Sequence, residues 1–183
     1  MTADKVDTKS KIMDLAEQHI IVGGYGAFSF RDIAEQIGIK SASVHYHFRT
    51  KGDLVSAVME RYTNEFASQL PDPMTDEYEP SAMVNGFIDG FKAKVIDQKH
   101  MSLCTMLTAD KQVLPEEVSG SLAAFYEVKL QWLQQVLSRL PSLSGDNSET
   151  AAVRLLACLH GASVLVQATG KEDCFEQVVS AWR

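Results

Sequence analysis

SFRDIAEQIGIKSASVHYHFRTK, residues 29–51, is the stretch whose reading decides the fold. Ser29 with Asp32 spells a capping box that opens a short helix, with Ile33, Ala34 and Ile37 on one face. Gly38 breaks that helix, and Ile39 plugs the angle before the next one. Ser41 reads as the N-cap of the following helix. At ~100° per residue, an inward Val44 puts Phe48 on the same side and turns Ala42 and Tyr46 away, with Ser43 and His45 beside them. Ser41 and His47 fall at the edges of that outward face. Two short helices around a glycine turn, with a small, polar and aromatic outer face, predict a helix-turn-helix that lays residues 41–47 in a DNA major groove.

Working outward, Thr8 reads as the cap of a first helix with Ile12, Leu15, Ala16, His19 and Ile20 on one face, preceded by a polar arm over residues 1–7. Gly23, Gly24 and Gly26 end it. Downstream, Thr50 and Asp53 form a second capping box, opening a long helix through Leu54, Val55, Val58, Met59, Tyr62 and Phe66. Lys51 sits in its first turn, where an ammonium and backbone N–H groups can address one phosphate.

The stretch PDPMTDEYEP, residues 71–80, is a connection, and everything after it reads as helix: 81–98, 101–109, 116–140, 149–169 and 171–183. The loop PSLSGDNS separates the third and fourth of these. No segment alternates with period two for the length of a strand, so the fold class is all-α: a three-helix helix-turn-helix domain over residues 5–65, joined by a long helix to a larger helical domain over 66–183.

Charge is divided unevenly. The net charge is −7, yet residues 1–51 sum to +1 and residues 52–183 to −8. No acid stands between Glu35 and Asp53, whereas Lys40, Arg49 and Lys51 do, with His45 and His47 beside them. An acidic body with one basic patch fits a protein that turns a single face to phosphates. Three cysteines, Cys104, Cys158 and Cys174, form no CxxC pair, which points to a reducing, cytoplasmic home. The N-terminus lacks the apolar core of a signal peptide, and no apolar run reaches the ~20 residues of a membrane span. His45-x-His47 lacks a third ligand for a metal, and there is no P-loop, nucleophile elbow or dinucleotide fingerprint. The reading is therefore not an enzyme, with no metal and no cofactor.

Residues 8–66 resemble the DNA-binding domain of the TetR (tetracycline repressor) family of bacterial transcriptional regulators. The resemblance rests on Gly24-Tyr25-Gly26, then Phe28-Ser29-Phe30-Arg31-Asp32-Ile33-Ala34, Gly38-Ile39, Ser43-Val44-His45-Tyr46-His47-Phe48 and Lys51-Gly52-Asp53-Leu54. It implies that Ser29, Arg31, Ser41, His47 and Lys51 contact phosphates while Ser43, His45 and Tyr46 face base edges. The family commonly has an aromatic residue where His45 stands, so this chain departs there towards hydrogen bonding. Solvated helix charges at Arg31 and Lys51, and a Tyr46 packed back on its own domain, are the bland alternatives.

The resemblance also implies a homodimer through the last two helices, a small-molecule effector bound in the C-terminal body, and double-stranded operator DNA as partner. Helix 149–169 is nearly uncharged and carries Ala152, Ala157, Gly161, Ala162 and Ala168; a buried core helix of the monomer is the competing reading. For the effector pocket the sequence offers Phe66, Phe87, Phe91, Met106, Phe125, Tyr126 and Trp132, suited to a small apolar or aromatic molecule, although the same residues make ordinary core. Cys104 supplies an alternative trigger, a thiol whose pKa Lys99 and His100 would lower; the inert reading is a small buried hydrophobe. A helical interaction module or an enzyme without DNA binding are the competing classes.

Overall fold

Local signals at the N-terminal end translate directly into helix boundaries. In a computed structural model that describes residues 3–97, 100–141 and 147–183, Thr50 and Asp53 cap one another: the Thr50 amide donates to Asp53 Oδ2 at 3.1 Å and the Asp53 amide to Thr50 Oγ1 at 2.9 Å. Gly38 takes the left-handed conformation (φ 77°), and its N–H bonds back to the Ala34 carbonyl at 3.0 Å. A side chain would be strained in that backbone, which is why a glycine stops the helix here.

The elements in order are α1 (Ala3–Gly23), α2 (Phe30–Ile37), α3 (Ser41–His47), α4 (Lys51–Gln69), α5 (Pro80–Lys92), α6 (Leu103–Ala109), α7 (Glu116–Ser138), α8 (Asn147–Thr169) and α9 (Asp173–Val179). Among the described residues there is no strand, so the all-α class is observed. Several boundaries move. α1 begins at Ala3, so Thr8 lies inside the helix rather than capping it, and residues 3–7 are not a loose arm; residues 1 and 2 lie outside the described residues. Lys40, not Ser41, precedes α3, and Ser41 is its first helical residue. α5 ends in a π-helical turn at Ala93–Asp97. α8 begins at Asn147, taking the last two residues of the supposed loop; residues 142–146 lie outside the described residues.

The chain forms two compact units. The first comprises residues 1–65 together with Leu103–Phe125, so the body predicted as 66–183 is not one contiguous block. Its core joins Ile12, Ala16 and Ile20 of α1 to Ile33, Val44, Leu54 and Val58, and to Leu103, Leu107 and Phe125 from the returning segment, all fully buried. Two helical turns of apolar spacing on α6 and α7 decide this, because their faces can be buried only against another element. Arg61 ties α4 to α1 through Asp14 at 2.6 Å and Glu17 at 2.9 Å.

The second unit comprises residues 66–102 and 126–183. α8 packs on α9 and α5 around Ile88, Leu133, Val136, Leu137, Leu155, Leu159 and Phe175. By length and composition alone α8 is apolar enough to cross a membrane, a test that a buried core helix also passes. In the fold one stripe of it, including Ala152, Leu155, Leu159, Ala162 and Val166, is buried in this core.

Candidate nucleic-acid interface

The outer face of α3 is built from behind. Val44 is fully buried and Phe48, just past the helix, is nearly so; these two anchors fix the rotation of the seven-residue helix. Ala42, His45 and Tyr46 are consequently exposed, and Ser43 and His47 half-buried. Tyr46 is 67% exposed, so it does not pack back on its own domain. Its ring lies edge-on to His47 at 5.4 Å. His45 is held edge-on against the buried Phe30 at 4.8 Å, an aromatic support that gives its exposed imidazole a defined orientation.

Around that face the phosphate-side set is less uniform. Ser29 caps α2: its hydroxyl and its amide both donate to Asp32 Oδ2, at 2.8 and 2.7 Å, and the Asp32 amide returns a bond to its Oγ at 3.3 Å. The Ser29 hydroxyl and amide bonds hold the Asp32 carboxyl below the usual carboxylate range. Arg31 is exposed but bonds Glu35 at 2.8 Å, and this hydrogen bond raises its already high pKa. Ser41 is exposed at the start of α3.

Lys51 is the surprise. Its ammonium donates to the Phe28 carbonyl and lies over the rings of Phe28 at 4.1 Å and Tyr25 at 4.7 Å. Burial lowers its pKa against the opposing pull of Asp32. The side chain thus fastens the Tyr25–Phe28 corner to α4 as well as bringing charge to this edge. Lys40 and Arg49 bracket α3 and are exposed; the charge count contains them, although the site reading passed them over.

A residue the sequence did not signal completes this unit. Asp110, between α6 and α7, accepts the Tyr25 amide at 2.6 Å. It packs so closely on Gly24 (φ 77°) that a Cβ there would fall 2.3 Å from the carboxylate. Nothing local marks it, since the contact spans 85 residues.

The expected pocket residues divide between the two units. Phe66, Phe87 and Trp132 line a cavity of about 720 Å³ in the second unit, with Met83, Gly86, Asp72 and Glu77. Trp132 stacks on Phe87 at 5.5 Å and donates its indole N–H to the Pro71 carbonyl at 2.9 Å. Phe91 and Tyr126 stand in the same core but outside the cavity wall, flanking Lys129 (4.6 and 5.7 Å) and His160 (5.2 and 5.3 Å). Burial, and secondarily the charge of Lys129, lower the His160 pKa to about 4.

Cys104, Met106 and Phe125 belong to the first unit instead. Phe125 is fully buried against Tyr62 at 5.1 Å, and Cys104 is fully buried as well. Phe125 and Trp132 share a face of α7, but two turns of helix carry them into different units. His100, expected beside the thiol, bonds the Met101 carbonyl at 3.0 Å, and Lys99 lies outside the described residues.

Comparison with known proteins agrees with this geometry. The family described as "Bacterial regulatory proteins, tetR family" matches residues 12–58, from α1 into α4. A TetR transcriptional regulator from Legionella pneumophila of known crystal structure is 32% identical, covering 96% of this chain and 95% of that one with a TM-score of 0.85. The chain belongs to the TetR family. A TetR-family regulator from Agrobacterium tumefaciens superposes with a TM-score of 0.87 at 27% identity, over 97% of this chain and 96% of that one. The negative transcriptional regulator IcaR of the biofilm operon icaADBC, from Staphylococcus epidermidis, is 27% identical over 114 residues, 62% of this chain and 60% of that protein. The chain therefore spans under two thirds of this curated relative. As a TetR-family member it is a DNA-binding transcriptional regulator with a helix-turn-helix, and α2 and α3 are the two helices of that motif.

Proposed function

We propose that the chain is a homodimeric repressor that binds operator DNA through α3 and is released when a small apolar or aromatic effector fills the second unit's cavity. The observation that carries the reading is the outward face of α3, exposed at Ala42, His45 and Tyr46 and anchored from behind by Val44 and Phe48. Ser43, His45 and Tyr46 address base edges, with Ser29, Arg31, Ser41, His47 and Lys51 on phosphates. Repression as the sign of regulation is supported by IcaR, a negative regulator by name. Such a protein works where its DNA is, in the cytoplasm, and the reading assigns it no catalytic step.

Dimerisation is supported by α8. Opposite its buried stripe, Val153, Ala157, Gly161, Val164, Leu165 and Ala168 are all exposed on one face, with Val153, Val164 and Leu165 about half accessible. A contiguous exposed apolar face marks an interaction surface, and a second copy of α8 is the partner this reading assigns to it. The core reading of the helix describes its buried stripe, and its exposed face supports the dimer reading. In a dimer the two α3 helices must match half-sites about one ~34 Å turn apart. An effector that prefers another spacing weakens binding by the ratio of its affinities for the two states. α4 runs without interruption from Lys51 to Gln69, which lines the cavity, and is the natural lever. The thiol trigger at Cys104 is disfavoured by its burial, which denies a solvent oxidant access.

A gel-shift titration with the DNA upstream of the gene tests the reading. Tight, salt-sensitive and sequence-dependent binding is expected; binding indifferent to sequence and salt refutes it.

A further inference from the structure

Ring support and hydrogen-bonding capacity meet at one side chain of α3. Of the chain's five histidines, His19 bonds Gln36 at 2.9 Å, His100 bonds the Met101 carbonyl, and His160 faces Phe91 and Tyr126 in the second unit. His47 stands half-buried against the Tyr46 ring. His45 is the exposed one, and among the described residues no hydrogen bond occupies its imidazole. Its ring is held all the same: it meets Phe30 edge-on, with centroids 4.8 Å apart and planes at 66°. Phe30 is buried and opens α2 directly after the Ser29 cap, whose bonds with Asp32 fix the backbone of that turn. A side chain ordered before it meets its ligand loses less conformational freedom on binding.

Which base such a side chain selects follows from what its surroundings lack. Between Gln36 and Asp53 there is no carboxylate and no carboxamide. The side chains that pair with cytosine N4, or with N6 and N7 of adenine, are therefore missing from α3 and from both its flanks. The hydroxyls of Ser43 and Tyr46 donate or accept and so discriminate weakly. The imidazole N–H donates. In the major groove guanine presents two acceptors side by side, N7 and O6, where adenine sets an amino donor beside N7 and thymine a methyl beside O4. We propose that His45, seated on Phe30, selects guanine at one base pair of each half-site, with Phe30 as the positioning residue that acts through the imidazole. The proposal rests on the reading of α3 as the base-facing helix and names the base that one of its residues reads.

The test selects bound sequences from randomised duplexes with the full-length protein. Affinities for the enriched duplex and its single-base-pair replacements are then measured by fluorescence anisotropy at one fixed salt concentration. The wild type is expected to enrich a G·C pair whose replacement by A·T weakens binding about tenfold. His45→Ala, at an exposed position, should bind those two duplexes within about twofold of one another and keep its preferences at the other pairs. Phe30→Leu keeps apolar volume but removes the ring, and should lose most of the same preference; Phe30→Tyr, which restores a ring, should recover it. A loss of stability alone lowers affinity for both duplexes alike, so their ratio reports positioning. A His45→Ala variant that keeps every wild-type preference, or that loses one at an A·T pair instead, overturns the proposal and leaves the protein a sequence-specific regulator. Full guanine preference in Phe30→Leu overturns the role given to Phe30. Wild type that enriches no sequence overturns the reading of α3 and the proposal together.

Discussion

His160 makes the stability of the second unit depend on acid. The imidazole, on α8, faces Phe91 at 5.2 Å and Tyr126 at 5.3 Å, and burial followed by the charge of Lys129 lowers its pKa from 6.5 to about 4. The folded chain therefore holds a neutral ring that the unfolded chain protonates more readily. The contribution is fully present above about pH 6.5 and is lost as pH falls towards 4, below which both states carry the proton. At ~1.4 kcal/mol for each pH unit of that gap, the loss is about 3 kcal/mol, a large fraction of an ordinary domain's stability. Urea unfolding at pH 7.5 and pH 4 measures it. The chain's two tryptophans, Trp132 and Trp182, both stand in the second unit, so their fluorescence reports that unit. His160→Phe keeps a ring between Phe91 and Tyr126 but cannot titrate. Wild type should lose about 3 kcal/mol more than this variant between the two pH values, whatever the carboxylates contribute to both. Lys129→Met should raise the His160 pKa in an NMR titration, because it removes the second cause. Parallel pH dependence of wild type and His160→Phe would refute the reasoning.

Three further substitutions test the first unit. Lys51→Met removes an ammonium seated on Phe28 and Tyr25 and should cost roughly 1–2 kcal/mol in urea melts; it should also flatten the salt dependence of DNA binding by about one. An unchanged salt slope would make Lys51 a structural residue only. Tyr46→Ala, at a 67% exposed position, should leave stability within ~0.5 kcal/mol yet relax preference at particular base pairs in a competition gel shift. Asp110→Ala takes the acceptor from the Tyr25 amide and should cost about 1–2 kcal/mol by thermal melting, weakening DNA binding without any contact to DNA. Unaltered melting would mean that water replaces the carboxylate.

The helix-turn-helix was legible because its determinants are local. A capping box spans three residues, a glycine stop acts on its own turn, and an angular count from Val44 needs only the helical period, so α2, α3 and the exposed face of Tyr46 follow from neighbours in the chain. The same local logic misplaced the start of α1, because Thr8 is as compatible with a helix interior as with a cap, and it moved the start of α3 by one residue at Ser41.

Residues 29–51, then, carried their own reading: the Ser29–Asp32 cap and the Gly38 stop are satisfied by residues within a few positions, and the outward face of α3 follows from the helical period counted from Val44. Only the tertiary structure decided that Leu103–Phe125 rejoins the first unit, that Asp110 caps Tyr25 across 85 residues, that the Lys51 ammonium turns back onto Phe28, and that Cys104 and Phe125 are core while Phe66, Phe87 and Trp132 line the cavity. Apolar spacing says that a helix face is buried but not against what. The partner is chosen by packing between segments far apart in the chain, and no local periodicity records that choice.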